Sequence, residues 1–407
     1  MKYDLIVIGG GAAGFFGAIQ AAELKVGLRV LVLEKTSKLL SKVRISGGGR
    51  CNVTHKCSNP FELAHHYPRG ERALKTVFKI YNVQHVVDWF FSKGVNLKAE
   101  ADGRMFPVTD SSESIISCFL KEANRLHVNI LTGTGTPEIE RNEEYFSVRI
   151  ENGDSFQAPK LLIAVGGNIN IHFYDWITDL GHTIRKPIPS LFTFNDNESN
   201  FKDLMGISVP DAEVKIVSTK FSQRGPLLIT HWGLSGPAVI KLSAWAAEYL
   251  HEVNYHFDVL VSWVGPVKEE EFRTGIIEHK KTKGKQKVVT NPMFSLSQRL
   301  WQRLCQLSEI EESKTWNDLS LKGLNKLIEH LIRCPFHLKG KTTFKEEFVT
   351  CGGVDLKEIN LDTMESKLVK NLYFAGEVLN IDGETGGFNF QAAWSTAFLA
   401  ARSIAAS

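Results

Sequence analysis

A chain of 407 residues exceeds what one hydrophobic core usually supports, so two or three domains are expected. With 43% hydrophobic and 23% charged residues the composition is that of a globular fold, not of a disordered or fibrous chain. The net charge of +3 is too small to mark bulk binding of nucleic acid, and six scattered cysteines without a CxxC pair argue against a zinc site or a disulfide framework.

The first apolar run, Leu5 to Ile8, is far shorter than a signal-peptide core and leads straight into glycines, so it reads as a strand. An Ala-rich helix from Ala12 to Lys25 and a second strand, Arg29 to Leu33, complete a βαβ unit. Between strand and helix, Gly9-Gly10-Gly11-Ala12-Ala13-Gly14 matches G-x-G-x-x-G in the context that gives the motif its meaning. Gly9 permits the tight turn, Gly11 lets the backbone approach a pyrophosphate and Gly14 lets the helix pack closely on the strand, with Ala13 beside it. The helix N-terminus offers free N–H groups and a partial positive charge to the phosphates. Glu34 lies at the end of the next strand, where a carboxylate accepts both hydroxyls of an adenosine ribose; Lys35 follows it in the expected cofactor set. These features bind a dinucleotide without deciding which one.

Ser46-Gly47-Gly48-Gly49-Arg50-Cys51-Asn52 follows about a dozen residues later, and three consecutive glycines imply a loop that closely approaches a ligand. Arg50 is expected to neutralise a diphosphate, and Asn52 to hydrogen-bond a flavin or ribityl edge. Cys51 has no CxxC companion and reads as a buried small residue rather than a redox partner. His65 and His66 lack further ligands at metal spacing and read as loop residues, so no metal is expected.

A third strand, Lys160 to Val165, ends at Gly166 and Gly167, a ligand-facing edge. From about 191 the pattern changes: Ala212 to Val217 and Tyr255 to Val264 alternate like strands, while Leu296 to Leu307 and Leu319 to Ile332 have helical spacing. We therefore expect a first cofactor-binding part over 1–190, an inserted β-rich domain over 191–265 and a helical subdomain over 266–335. A short return over 336–345 and a second cofactor-binding part over 346–407 complete the division. Lys280, Lys281, Lys283, Lys285 and Lys287 surround Gly284 and read as a solvated loop, the one feature that hints at phosphate or nucleic acid.

Near the other end, Asn371 to Ala375 predicts a strand, followed by Gly376-Glu377, Asp382, Gly383, Gly386, Gly387, Phe388, Asn389 and a helix from about Gln391. A dinucleotide whose adenosine sits at Glu34 needs its far end held elsewhere, and FAD, longer than NAD, commonly needs such a return. Glu377 is expected to bind ribityl hydroxyls, and the helix start at 386–389 to face flavin N1 and the C2 carbonyl.

Six separated motifs support a family reading: the Gly9 turn, Ser46 to Asn52, Thr230 to Pro237, Cys351 to Val354, Thr363 to Lys367, and Gly376 through Gln391. Together they resemble the YhiN/BaiN type of bacterial flavoprotein, the aminoacetone oxidase-like group, over nearly the whole chain. The resemblance implies an α/β fold: a Rossmann-type two-dinucleotide-binding FAD domain, split by an inserted β-rich, barrel-like domain that carries a helical subdomain. It implies bound FAD but no particular substrate, since members act on dissimilar molecules, including steroid-like bile-acid enones. One stretch departs from the family, which usually continues through glycines where this chain has Asn168 to Tyr174.

An FAD-dependent oxidoreductase, reductase or oxidase, acting on a small molecule is therefore expected, with NAD(P)H a candidate electron donor. An RNA-modifying flavoprotein and an FAD-binding protein without turnover are the alternatives. His231, in a Gly- and Ser-rich motif, is the candidate acid or base. No apolar run reaches the ~20 residues of a membrane span, so no membrane partner and a cytoplasmic location are expected.

Overall fold

The computed structural model describes residues 2–196, 201–342 and 349–406. It divides into two compact units, one formed by Met1–Ser190 with Lys345–Ser407 and the other by Leu191–Phe344. The boundary expected at 345/346 lies outside the described residues.

The first unit is organised by five parallel strands: β1 (Leu5–Ile8), β2 (Val30–Glu34), β3 (Asn129–Thr132), β4 (Lys160–Ile163) and β5 (Leu372–Phe374). Their order across the sheet is β5-β4-β1-β2-β3. Leu5 sits between Lys160 and Val30, and Leu161 pairs with Leu372. β1 and β5 are buried throughout, as unbroken apolar runs in a parallel sheet covered on both faces should be. The helix α1 (Ala12–Leu24) is buried from Ala13 to Ala22. It has no polar face because it lies between the sheet and a second helix, α2 (Phe388–Ala406). A Cβ at Gly17 would come within 2.7 Å of Leu162 and 3.7 Å of Ala397, which is why a glycine serves there.

Two three-stranded antiparallel sheets complete this unit, one a meander over Glu138–Arg141, Phe146–Arg149 and Ser155–Ala158. The other pairs Thr54–His55 with Arg104–Pro107 and Leu97–Ala99, and so fixes the chain just after the three glycines. An antiparallel pair, Ile184–Ser190 with Val349–Val354, carries the segment that meets Glu377.

The second unit is built on a seven-stranded antiparallel sheet whose central strands are Ser208–Ile216, Ser222–Ile229 and His256–Ser262. Helices Glu269–Thr282, Gln298–Leu307 and Leu321–Ile332 share its core, with Trp301 and Trp316 packed in the same cluster as Val259 and Trp263. Lys280 and Lys281, expected in a loop, stand in the last turn of the first of these helices. Lys280 donates to the Leu319 carbonyl there, and cations in a last helical turn suit the carbonyl end of the dipole. No helix among the described residues is long and apolar enough to cross a membrane.

Candidate functional site

The turn after β1 is built for close approach. Gly9 has φ +113°, and a Cβ there would stand 2.3 Å from the Ala164 carbonyl oxygen. A Cβ on Gly14 would come within 1.9 Å of the Gly9 oxygen, whereas one on Gly11 would meet nothing within 4 Å. The first and third glycines thus serve the fold, and the second faces open space at the start of α1. No side chain caps that helix and no acidic residue occupies its first turn, so its amino end is left to an anion.

Glu34 closes the turn from the other side. One carboxylate oxygen accepts from Gly10 N–H at 2.8 Å, the other from the Thr36 amide and hydroxyl at 2.9 Å each. These bonds fix the carboxylate beside the glycine turn, and Oε2, which accepts only one of them, keeps lone-pair capacity for a hydroxyl donor. Lys35 lies with its ammonium 5.9 Å from the centre of the Phe173 ring.

The Ser46–Asn52 segment is not a free loop. A helix starts at Ser41 and continues to residue 49, broken at Ser46, where ψ is 146°, and at Gly47 and Gly48, which have positive φ. Lys42 on this helix, which sequence reasoning passed over, reaches Glu377 Oε2 at 2.7 Å. Gly48 and Gly49 face open space, while a Cβ at Gly47 would meet Phe106 at 2.8 Å. Ser46 donates to the Val43 carbonyl. Arg50 has other partners than the diphosphate expected of it: it pairs with Glu100 at 2.6 Å and Asp110 at 3.6 Å and lies 3.9 Å above the Phe106 ring. Nearby carboxylates already satisfy its charge. Cys51 is fully buried, and burial pushes its thiol up to about 12, so it has little thiolate character.

The C-terminal return folds onto this same region. The Gly376 amide donates to Thr396 Oγ1, and a Cβ at Gly376 would fall 2.8 Å from that of Ala13, which places the return on the start of α1. Glu377 Oε1 accepts from Thr350 N–H at 2.9 Å. Cβ atoms built on Gly166 and Gly167 would lie 4.0 Å and 2.6 Å from the Glu377 oxygens. Beside them, the buried hydroxyl of Thr350 has no hydrogen-bond partner among the described residues, an orphan that a ligand hydroxyl would satisfy.

Asp382, expected at the cofactor, is instead wholly buried against Arg69 and Ser190, with Arg69 Nε at 2.6 Å and Ser190 Oγ at 2.9 Å. Burial pushes its carboxyl above the usual range while the Arg69 guanidinium pulls it back. Its oxygens are spent inside the protein.

From Gly383 to Asn389 the chain forms a tight loop onto α2. Asn389 ties it down, accepting from Gly383 N–H at 2.9 Å and donating to the Gly383 carbonyl at 3.0 Å. Gly386 and Gly387 have positive φ. Phe388 gives its carbonyl to Tyr67 Oη at 2.6 Å and stacks its ring on His55 and His66, at centroid distances of 4.6 and 4.3 Å. His66, expected to be a bystander in its loop, lies 3.2 Å through Nδ1 from Glu384. Neither residue was legible as a partner, because nothing in local spacing links positions at opposite ends of the chain.

Within Asn168 to Tyr174, Ile171–Tyr174 forms a 3-10 turn capped by Asn170, with the Asn168 amide donating to the buried Tyr174 hydroxyl at 2.8 Å. This segment thus supplies its own hydrogen bonds. His231 belongs to the second unit, where it is exposed with its ring 4.3 Å from that of Trp232. No cluster of three metal-ligating side chains occurs among the described residues.

Comparison with known proteins agrees on the architecture. A family model described as the HI0933-like protein Rossmann domain matches residues 3–403. The chain is 30% identical over 410 residues to a Haemophilus influenzae protein named ribosomal RNA dihydrouridine synthase, with 98% of each chain covered. It is 26% identical over 411 residues to the 3-dehydro-bile acid delta(4,6)-reductase of Clostridium scindens, again over 98% of each. Among solved structures, the 3-ketosteroid delta1-dehydrogenase of Sterolibacterium denitrificans superimposes with a TM-score of 0.51 at 14% identity. That match covers 100% of this chain and 99% of the other, and it establishes a shared fold.

Proposed function

The chain belongs to the HI0933-like family of FAD-binding Rossmann oxidoreductases, and from that premise we propose that it reduces a carbon–carbon double bond conjugated to a carbonyl. The observation that carries FAD as cofactor is the pairing of two separate carboxylate anchors, Glu34 at the glycine turn and Glu377 on the return, with Gly376 seated against Ala13. A cofactor held at one end by Glu34 and at the other by Glu377 must run past the amino end of α1, where the diphosphate of FAD meets free N–H groups and the open face of Gly11. FMN has no adenosine for Glu34 to hold. The orphaned Thr350 hydroxyl and the open faces of Gly48 and Gly49 fit the same occupant.

FAD bound there supplies two-electron hydride chemistry. The chain's own residues hold it, exclude competing reactions and manage the proton. The substrate class rests on what the relatives' names have in common. Forming dihydrouridine saturates the uracil double bond next to its C4 carbonyl, and a delta(4,6)-reductase saturates double bonds conjugated to a 3-oxo group. Both add hydrogen across an activated alkene.

A reduced nicotinamide is the electron donor in this proposal. Anaerobic mixing with NADH or NADPH should bleach the flavin, and a steroid 4,6-dien-3-one or a uridine-containing ribosomal RNA fragment should restore the colour. Reoxidation by dioxygen alone, with both acceptors inert, would refute alkene reduction and point to an oxidase.

RNA is a second reading of substrate size, favoured by the name of the Haemophilus relative. Lys283, Lys285 and Lys287 are exposed and offer phosphate contacts. Reoxidation by RNA that weakens steeply with salt, and fails when these lysines become Gln, would select it over a small molecule.

A further inference from the structure

We propose that His66 and Glu384 form the proton-delivering pair of the site, His66 as the donor to substrate and Glu384 as its positioning residue. The inference rests on the alkene reduction proposed above. Glu384 is a carboxylate with only 7% of its side chain exposed, set directly before the Gly386–Gly387 turn. Two bonds join it to His66: its amide donates to the His66 carbonyl at 2.9 Å, and its Oε2 lies 3.2 Å from His66 Nδ1. Because a carboxylate accepts, Nδ1 carries the proton and Nε2 is the atom left to exchange one. Nε2 has no partner among the described residues, and the side chain is 36% exposed, enough to meet a substrate.

The ring is also held in place. It stacks on Phe388 with an interplanar angle of 16°, and Phe388 is fixed in turn by Tyr67 Oη. Asn389 locks the loop that carries Glu384. An imidazole oriented by a buried carboxylate, with its far nitrogen open, is the arrangement by which proteins fix a tautomer and stabilise an imidazolium. A carboxylate buried only for packing would need no exposed, free nitrogen at the other end of its partner.

Saturating a conjugated alkene adds a hydride to the β carbon and a proton to the α carbon. The two electrons come with the hydride, which FAD held by Glu34 and Glu377 would supply at the expense of a reduced nicotinamide. The proton leaves Nε2 of His66, which keeps its Nδ1 proton on Glu384, and water returns a proton to Nε2. Other titratable groups stand nearby. His55 lies 6.0 Å away between ring centres with its Nδ1 on the Gly386 carbonyl, His65 pairs with Glu71, and Arg69 closes on Asp382. Their charges are committed to other partners, which leaves Glu384 as the carboxylate that sets the His66 proton.

The test compares wild type with His66→Gln and Glu384→Gln. Both variants should bind FAD and be bleached by nicotinamide as wild type is. Reoxidation of the reduced protein by a steroid 4,6-dien-3-one should fall by ~10²- to 10⁴-fold in His66→Gln, the usual worth of a general acid. In Glu384→Gln the same rate should fall while the alkene is bound as tightly as by wild type, and Glu384→Asp should recover part of it, because the ring loses the acceptor that fixes its tautomer. Independently of any turnover, the ring-nitrogen NMR shifts of His66 in FAD-free protein should report the Nδ1–H tautomer in wild type and lose that preference in Glu384→Gln. Unchanged reoxidation in a folded His66→Gln protein, or a His66 tautomer indifferent to Glu384, would overturn the pair. If wild type itself is not reoxidised by any conjugated alkene, the reaction assignment fails, and the NMR comparison still decides whether the two residues share a proton.

Discussion

With its side-chain amide oriented by its hydrogen-bonding neighbours, Asn52 accepts the Gly387 N–H at 3.0 Å, and this bond joins the glycine-rich segment near the start of the chain to the turn that opens α2. In the same amide orientation its nitrogen donates to the carbonyls of Thr54 at 3.0 Å and Met105 at 3.2 Å, so three backbone groups bond to it. Asn52→Ala should take this partner from the Gly387 amide and the Thr54 carbonyl in a buried site, while Met105 keeps the Val53 N–H, at about 1–3 kcal/mol. A lowered urea midpoint with an unchanged slope is the expected result. An unshifted midpoint would mean that water replaces the amide.

The glycine turn separates folding from binding. Gly11→Ala places a Cβ in open space at an extended φ of −93°, so the melting temperature should hold while FAD affinity falls. Gly14→Ala drives a Cβ to 1.9 Å from the Gly9 oxygen, and overpacking of this kind costs about 1–3 kcal/mol. Calorimetry and flavin titration on the two variants should therefore disagree. Equal loss of stability in both would show that Gly11 is also packed.

Much of this turn was legible beforehand because its constraints are local: a strand, three glycines at fixed spacing, and a carboxylate at the end of the next strand. Glu34 is held to Gly10 by the fold its spacing implied. The rest depended on contacts that spacing does not encode. Arg50 follows three glycines, as a phosphate ligand would, yet Glu100 and Asp110 claim it from a hairpin half a domain away in sequence. Asp382 looked like part of a ligand loop until Arg69 was seen beside it. Lys280 and Lys281 belong to a helix whose start, Glu269 to Glu271, complements its dipole, a longer-range pattern than the charge run itself.

The Arg69–Asp382 pair predicts an asymmetry between breaking and replacing. Arg69→Met leaves a fully buried carboxylate without its cation and should cost about 3–5 kcal/mol. Combining Arg69→Met with Asp382→Leu should recover a substantial part, because two apolar groups need no compensation. A double-mutant cycle from chemical denaturation checks this, and a double variant no better than the single would contradict it.

His182 predicts how stability responds to acid. Its ring is buried, with Nε2 2.8 Å from Ser366 Oγ and no partner for Nδ1 among the described residues, and burial lowers its pKa below the ordinary 6.5. The unfolded chain then binds a proton that the folded one refuses, so stability rises with pH in the window below about 6.5 and is lost as pH falls through it. His182→Gln should flatten the change in melting temperature between pH 7.5 and pH 5.5 set in the assay. A slope as steep as that of wild type would assign the acid sensitivity to other groups.

The parallel sheet also sets a timetable for synthesis. β4 ends at Ile163, but the neighbour that covers its open edge, β5, begins at Leu372, and α2, which shields α1, comes later still. At roughly 5–20 residues per second, translation leaves that edge and one flank of α1 bare for tens of seconds. With Glu377 as the second anchor in the cofactor site we propose, FAD would not be fully seated in that interval, since Glu377 has yet to be made. A nascent chain stalled short of Leu372 should therefore be colourless and a substrate for chaperones that shelter open strand edges. Flavin capture becomes the closing event of biogenesis rather than its nucleus.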